Sequence, residues 1–171
     1  EQMRRDPSAL REHAEELTTL SRRKGFTSFW GTGLGYRAEA LAELGRVEEG
    51  IEEMREALAM RQATGTRCFV SGTLGGLARA QAKAGAPEKA LVTLAEALAM
   101  VEETDERYWE PELYRLKGEL LLTQEQEAEA EASFLRAIDV ARGQQAKSWE
   151  LRAMVSLCRL WQREGRIEQA Y

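Results

Sequence analysis

ARAQAKAGAPEKALVTLAEA, residues 78–97, decides how the rest of the chain is read. The small residue Ala78 is followed seven positions on by Gly85, five further by Ala90, four further by the bulky Leu94 and three further by Ala97. The same phases return at a spacing of forty residues in both directions. Gly45, Gly85, Glu125 and Gly165 share one phase, and Gly50, Ala90, Ala130 and Ala170 the next. Met54, Leu94 and Phe134 share the bulky phase, followed by Ala57, Ala97 and Ala137, then by Leu58, Leu98 and Ile138. Upstream, Ala38, Ala78, Gly118 and Cys158 align, as do Leu34, Leu74, Tyr114 and Met154, and each unit opens on an aromatic: Phe29, Phe69, Trp109, Trp149. A fixed period of this length is the signature of a stacked array, in which a unit buries its apolar face only against its neighbours. Such arrays generally hold partners and do no chemistry.

Within a unit the apolar residues keep helical spacing. Ile51, Met54, Ala57, Leu58 and Met60 mark one face, and Leu91, Leu94, Ala97, Leu98 and Val101 mark its counterpart a repeat later. Gly45 and Gly85 suit the left-handed turn that ends a first helix, and Pro87 suits the first turn of the second. Gly25 and Gly65 end second helices, a phase later taken by Asp105 and Gln145. The spacing predicts helices over 7–24, 28–44, 47–63, 67–84, 87–104, 108–123, 127–143 and 147–164, with another starting at 167. Asp6 before Pro7 is a start signal. The expected organisation is one array over 1–171: an orphan second helix (7–24), repeats at 28–63, 67–104 and 108–143, and a partial repeat at 147–171. Without an initiator Met and ending mid-repeat, the chain reads as a piece of a longer protein. Ala38, Ala78, Gly118 and Cys158 are expected where two helices cross closely.

Composition agrees: 31 % charged, 43 % hydrophobic and only three prolines suit a water-soluble helical protein. The net charge of −5 argues against nucleic acid, no apolar run is long enough to cross a bilayer, and nothing resembles a signal peptide. Cys68 and Cys158 fall at different phases and read as buried free thiols of a cytoplasmic protein.

Small residue, Gly, Ala, bulky residue, Ala, as in Ala78-Gly85-Ala90-Leu94-Ala97 and Gly118-Glu125-Ala130-Phe134-Ala137, resembles the tetratricopeptide (TPR) pattern over essentially the whole chain. The period exceeds the usual thirty-four residues, Gly50 stands where Ala is expected, and Glu125 stands where Gly is expected. HEAT-type repeats have a compatible period but lack this spacing. The segments 112–122 (ELYRLKGELLL), 129–138 (EAEASFLRAI) and 148–153 (SWELRA) are similar to stretches in the C-terminal arrays of bacterial multidomain signalling proteins. Those proteins are laid out like the maltose-regulon activator, or join a cyclase and an ATPase domain to a helical-repeat tail. The resemblance implies an all-α fold, a right-handed α-solenoid of antiparallel helix pairs, and a non-catalytic scaffold or sensor segment. It implies a protein or peptide partner, or another domain of the parent chain, held on the concave face.

That face is lined by the first helix of each pair, which by phase selects Thr32, Gly35, Tyr36, Glu39 and Glu43; Gly72, Gly75, Gly76, Arg79 and Lys83; Glu112, Arg115 and Glu119; and Arg152, Val155, Ser156, Arg159 and Arg163. Arg79, Lys83, Arg115, Arg152, Arg159 and Arg163 form either a basic strip for carboxylates or a solvated face paired with its own glutamates. The runs Gly31-Thr-Gly-Leu-Gly35 and Gly72-Thr-Leu-Gly-Gly76 lack the strand and the Lys-Ser/Thr of a phosphate loop. They are either close helix packing or a bare groove floor, the second reading leaving open a small-molecule sensor that controls an attached module. His13, the single histidine, sits among charged residues and reads as solvated, and Trp149 and Trp161 as interface core. No catalytic residue, metal or cofactor is expected, and self-association is open through the terminal helices.

Overall fold

The computed structural model describes residues 6–166. Among the described residues eight α-helices follow one another: α1 (Pro7–Lys24), α2 (Thr27–Glu43), α3 (Val47–Ala63), α4 (Val70–Lys83), α5 (Pro87–Thr104), α6 (Glu110–Leu122), α7 (Glu127–Gly143) and α8 (Lys147–Arg163), with a 3₁₀ turn at Arg107–Trp109. The helix expected from 167, with Ala170, lies outside the described residues. The chain divides into two compact units, 1–106 and 107–171. In the first, α1 packs on α2, α2 on α3, α3 on α4 and α4 on α5; in the second, α6 packs on α7 and both contact α8.

The ends of the helices follow from local chemistry. Asp6 Oδ1 accepts hydrogen bonds from the Ser8 and Ala9 amides at 3.1 and 3.0 Å, with Pro7 in the first turn of α1. Every turn phase read from the sequence adopts the left-handed conformation, whether glycine (Gly25, Gly45, Gly65, Gly85, Gly165) or not (Asp105, Glu125, Gln145). Each therefore closes its helix as a left-handed C-terminal turn does. The start of α4 is the one boundary that moves by several residues. Phe69 has φ +61°, a conformation a bulky side chain adopts at a cost of about 1–2 kcal/mol. Its amide donates to both carboxylate oxygens of Glu106, at 2.8 and 3.0 Å, so the turn is held and the helix begins at Val70. Cys68 lies in that turn and is exposed, which corrects the expectation of two buried thiols; Cys158 is half-buried, and both are free.

Core packing in each unit follows the repeat phases. Ala38, Ala42, Met54, Leu77 and Ala80 form one core cluster of the first unit, flanked by Ile51 and Leu58. Gly50 departs from Ala for a physical reason: a Cβ there would stand 2.7 Å from the Ala38 carbonyl oxygen and 3.1 Å from Ala42 Cβ, so α2 and α3 approach more closely than a methyl allows. In the second unit Phe134 is fully buried, and a Cβ at Gly118 would meet its ring at 2.5 Å. The bulky phase thus runs Met54, Leu94, Phe134 while the facing small phase runs Ala38, Ala78, Gly118, the largest side chain opposite the smallest. This keeps the packed volume nearly constant, as dense interiors require.

Candidate functional site

The first helices α2, α4, α6 and α8 carry the residues singled out by phase. In the first unit, α2 and α4 are joined by a ladder of ions one repeat apart. Arg79 pairs with Glu39, which is buried, and its Nε lies 3.5 Å from Glu43. Lys83 Nζ reaches the other Glu43 oxygen at 2.6 Å. Arg37, behind this row, donates two hydrogen bonds of 2.9 Å to Glu53 of α3, which hold its guanidinium above the ordinary value.

The second unit repeats the arrangement with a denser network. Arg152 Nη2 donates to Glu112 at 2.7 Å, again across one repeat. Arg115 donates two 2.8 Å bonds to the same carboxylate and also pairs with Glu119. Ser156 Oγ lies 3.3 Å from Glu119 and 3.4 Å from Arg115. Arg115 is only 3 % exposed, and burial works to lower its pKa. The hydrogen bonds and charges of Glu112, then of Glu119, outweigh that and raise it. A buried ion of this kind persists because its partners complete its hydrogen bonds.

In both units the cations are therefore matched by carboxylates of the same face, so Arg79, Lys83, Arg115 and Arg152 form no continuous basic strip. Arg159 and Arg163 differ. Both are exposed on α8, and neither has a carboxylate partner among the described residues. That no described carboxylate matches them has a reason visible in the phases. Arg163 stands one repeat after Thr123, where Lys83 stands one repeat after Glu43, and Glu119, one repeat before Arg159, is already held by Arg115. Val155, one turn before Arg159, is 40 % exposed and places an apolar contact beside the pair.

The glycine-rich floor resolves residue by residue. A Cβ at Gly33 would stand 2.5 Å from Thr18 Oγ1, and one at Gly76 3.3 Å from Met54 Cε, so both serve close packing against α1 and α3. Gly35 has only ordinary contacts, the nearest being Thr73 Oγ1 at 3.7 Å, and Tyr36 beside it is half-buried. Gly75 is buried and Gly72 half-buried. His13 is exposed beside Glu16. Trp149 is 3 % exposed in a cluster with Tyr108 and Trp109, and the Trp161 indole donates to Glu131 at 2.8 Å.

One residue that phase reasoning passed over is Arg61. It is 3 % exposed, donates to the Cys68 carbonyl at 2.6 Å and to Thr32 Oγ1 at 3.1 Å, and has no ion pair among the described residues. Burial pushes its pKa down, opposed by the charge of Glu106. The signal was present: Arg61 shares its phase with Val101 and Ala141, both fully buried, so a charged residue occupies a core position. Its bonds tie α2, α3 and the turn before α4 together.

No family model and no curated protein matches the chain in sequence. Solved structures do match its fold. BtubC (BKLC) from P. vanneervenii superimposes with a TM-score of 0.71 at 17 % identity, covering 96 % of this chain and 76 % of that one. Two structures of a Podosopora anserina kinesin-light-chain-type protein with nearly identical TPR-like repeats are also similar. One has a TM-score of 0.65 at 17 % identity, covering 96 % of this chain and 81 % of that one. The other has a TM-score of 0.61 at 18 % identity, covering 97 % and 92 %. The fold is thus all-α and of the TPR-like solenoid type, built of antiparallel helix pairs. Among the described residues no helix is long and apolar enough to cross a membrane.

Proposed function

We propose that the chain is a non-catalytic interaction segment that holds a protein or peptide, or a neighbouring domain of its parent chain, on the face lined by the first helices. The observation that carries this reading is the pair Arg159 and Arg163, exposed and without a carboxylate partner among the described residues. In the first unit the equivalent cations, Arg79 and Lys83, are neutralised by Glu39 and Glu43. On α8 the corresponding carboxylates are engaged or absent, and a partner carboxylate takes their place. Two guanidinium groups four residues apart on a helix suit a segment with two acidic side chains, each contact being a charge-assisted hydrogen bond. Val155 supplies apolar area beside them. In the second unit Arg115, Glu119 and Arg152 act as its preorganised frame, and Tyr36, Glu39, Gly72, Gly75, Gly76, Arg79 and Lys83 are the equivalent positions by phase in the first. The forty-residue phase runs unbroken through 1–171, which supports reading both units as parts of one array. The segments 112–122, 129–138 and 148–153 support placing that array in a larger cytoplasmic bacterial signalling protein. The small-molecule sensor reading loses the support of Gly33 and Gly76, whose missing side chains are explained by packing.

The test is affinity capture with the native chain and with Arg159→Glu/Arg163→Glu, followed by mass spectrometry and direct binding of the captured protein. A client held by the native chain and lost from the variant supports the reading. Equal retention by both overturns it.

A further inference from the structure

A second surface stands apart from the first-helix face, at the corner where α1 turns into α2. Between Glu16 and Glu39 the sequence carries no acidic residue, while Arg22, Arg23 and Lys24 stand together in the last turn of α1. In a chain of net charge −5 this is a local reversal of sign. Every residue from Arg22 to Phe29 is exposed. None of the three cations has a carboxylate partner among the described residues; Arg22 instead lies over the Trp30 ring, 5.3 Å from its centroid.

Beside these charges stand exposed aromatic rings. Phe26 is 56 % and Phe29 60 % exposed, in edge-to-face contact with centroids 6.4 Å apart. Phe69, one repeat after Phe29 on the same edge of the unit, is 44 % exposed. The two turns are linked by the Ser28 and Thr66 hydroxyls at 3.3 Å. Phase alone does not require this exposure. Trp109 and Trp149 occupy the same phase in the second unit and are 9 % and 3 % exposed, packed against each other and Tyr108. Leaving two phenylalanine rings in water forgoes burial that the equivalent tryptophans obtain, and exposed aromatic rings grouped beside like charges mark an interaction site.

We infer that this corner is a docking surface for a short acidic protein segment carrying an aromatic or aliphatic anchor, the anchor seated on Phe26 and Phe29 and its carboxylates facing Arg23 and Lys24. Charge complementarity selects the occupant. A duplex nucleic acid or an anionic bilayer meets a wide area of a chain whose net charge is −5, so long-range repulsion opposes it, whereas a short segment spans only the end of α1, where three cations stand together and Arg23 borders the groove it shares with Glu12, Glu15 and Glu16. Aromatic residues with adjacent guanidinium groups are also the side chains that dominate protein interfaces.

The experiment is selection of random dodecapeptides displayed on phage against the immobilised native chain, with affinities of the recovered peptides measured by fluorescence anisotropy. The expected result is recovery of peptides rich in Asp or Glu that also carry Leu, Phe or Trp. Their affinity falls roughly tenfold or more in Phe29→Ala and in Arg23→Glu/Lys24→Glu. Peptides that lose affinity in the corner variants bind unchanged to Arg159→Glu/Arg163→Glu, which separates this surface from the α8 pair. All three altered corner residues are exposed, so the variants keep the fold, checked by circular dichroism. No enrichment, enrichment without an acidic bias, or binding indifferent to the corner substitutions overturns the inference. So does tighter binding of a fifteen-nucleotide oligothymidylate or of phosphatidylserine vesicles than of any selected peptide.

Discussion

Gly118→Ala tests the packing logic of the repeat, because the structure supplies both opposing terms. A Cβ placed at Gly118 would lie 2.5, 2.7 and 2.9 Å from Cε1, Cδ1 and Cζ of Phe134, whose side chain is fully buried and has nowhere to retreat. Overpacking of this kind costs about 1–3 kcal/mol. Against it, alanine in a helix interior is favoured over glycine by about 0.5–1 kcal/mol. The net expectation is a loss of about 1–2 kcal/mol, worth roughly 4–8 °C of melting temperature per kcal/mol in a unit of this size. Phe134→Leu alone removes ring atoms from a filled core and costs about 1–2 kcal/mol. Combined, the two substitutions install the Ala and Leu pair that stands at the equivalent phases Ala78 and Leu94. The double variant should then be no less stable than Phe134→Leu alone, a favourable coupling of about 1–2 kcal/mol. Urea denaturation followed by tryptophan fluorescence is the suitable assay, since Trp109, Trp149 and Trp161 all lie in the second unit. A neutral or stabilising Gly118→Ala, or strict additivity in the double variant, would refute the reasoning.

Turn chemistry and pH give two further expectations. Gln145 holds φ +56° at a phase where Gly25 and Gly65 stand, so Gln145→Gly should stabilise by about 0.5 kcal/mol, while Gly85→Ala, at φ +78°, should destabilise by about 1 kcal/mol; shifts of the urea midpoint in opposite directions are the readout. Glu131 is held below the usual carboxylate range by hydrogen bonds from Arg166 and then from Trp161. A depressed folded-state pKa means that its contribution is present above the unfolded value, about 4.3, and is lost as pH falls through the lower folded value. Stability of the native chain should therefore drop between neutral pH and about pH 3 more steeply than that of Glu131→Gln, measured by denaturation at several pH values.

The sequence by itself determined the helix pairs, their turns and the arrangement of small and bulky phases. These are local or periodic properties. A left-handed turn residue, a proline in a first turn and an apolar stripe at helical spacing each act within a few residues, and repetition made them visible even where Glu125 or Gln145 replaced glycine. It also placed charged residues on the first-helix face, and it held the signal of Arg61, a charge at a core phase. What only the tertiary structure decided is which of those charges are spent. Whether Arg79 meets Glu39, or Glu112 is shared by Arg115 and Arg152, depends on the distance between helices a repeat apart and on competition for one carboxylate. No single-residue pattern encodes either. The same holds for the glycines: Gly33 and Gly35 are two residues apart on one helix, yet the first is filled by Thr18 and the second is not, because their faces point at different neighbours. Phe69 leaves the helix it was expected to join because the Glu106 carboxylate, thirty-seven residues away in sequence, captures its amide.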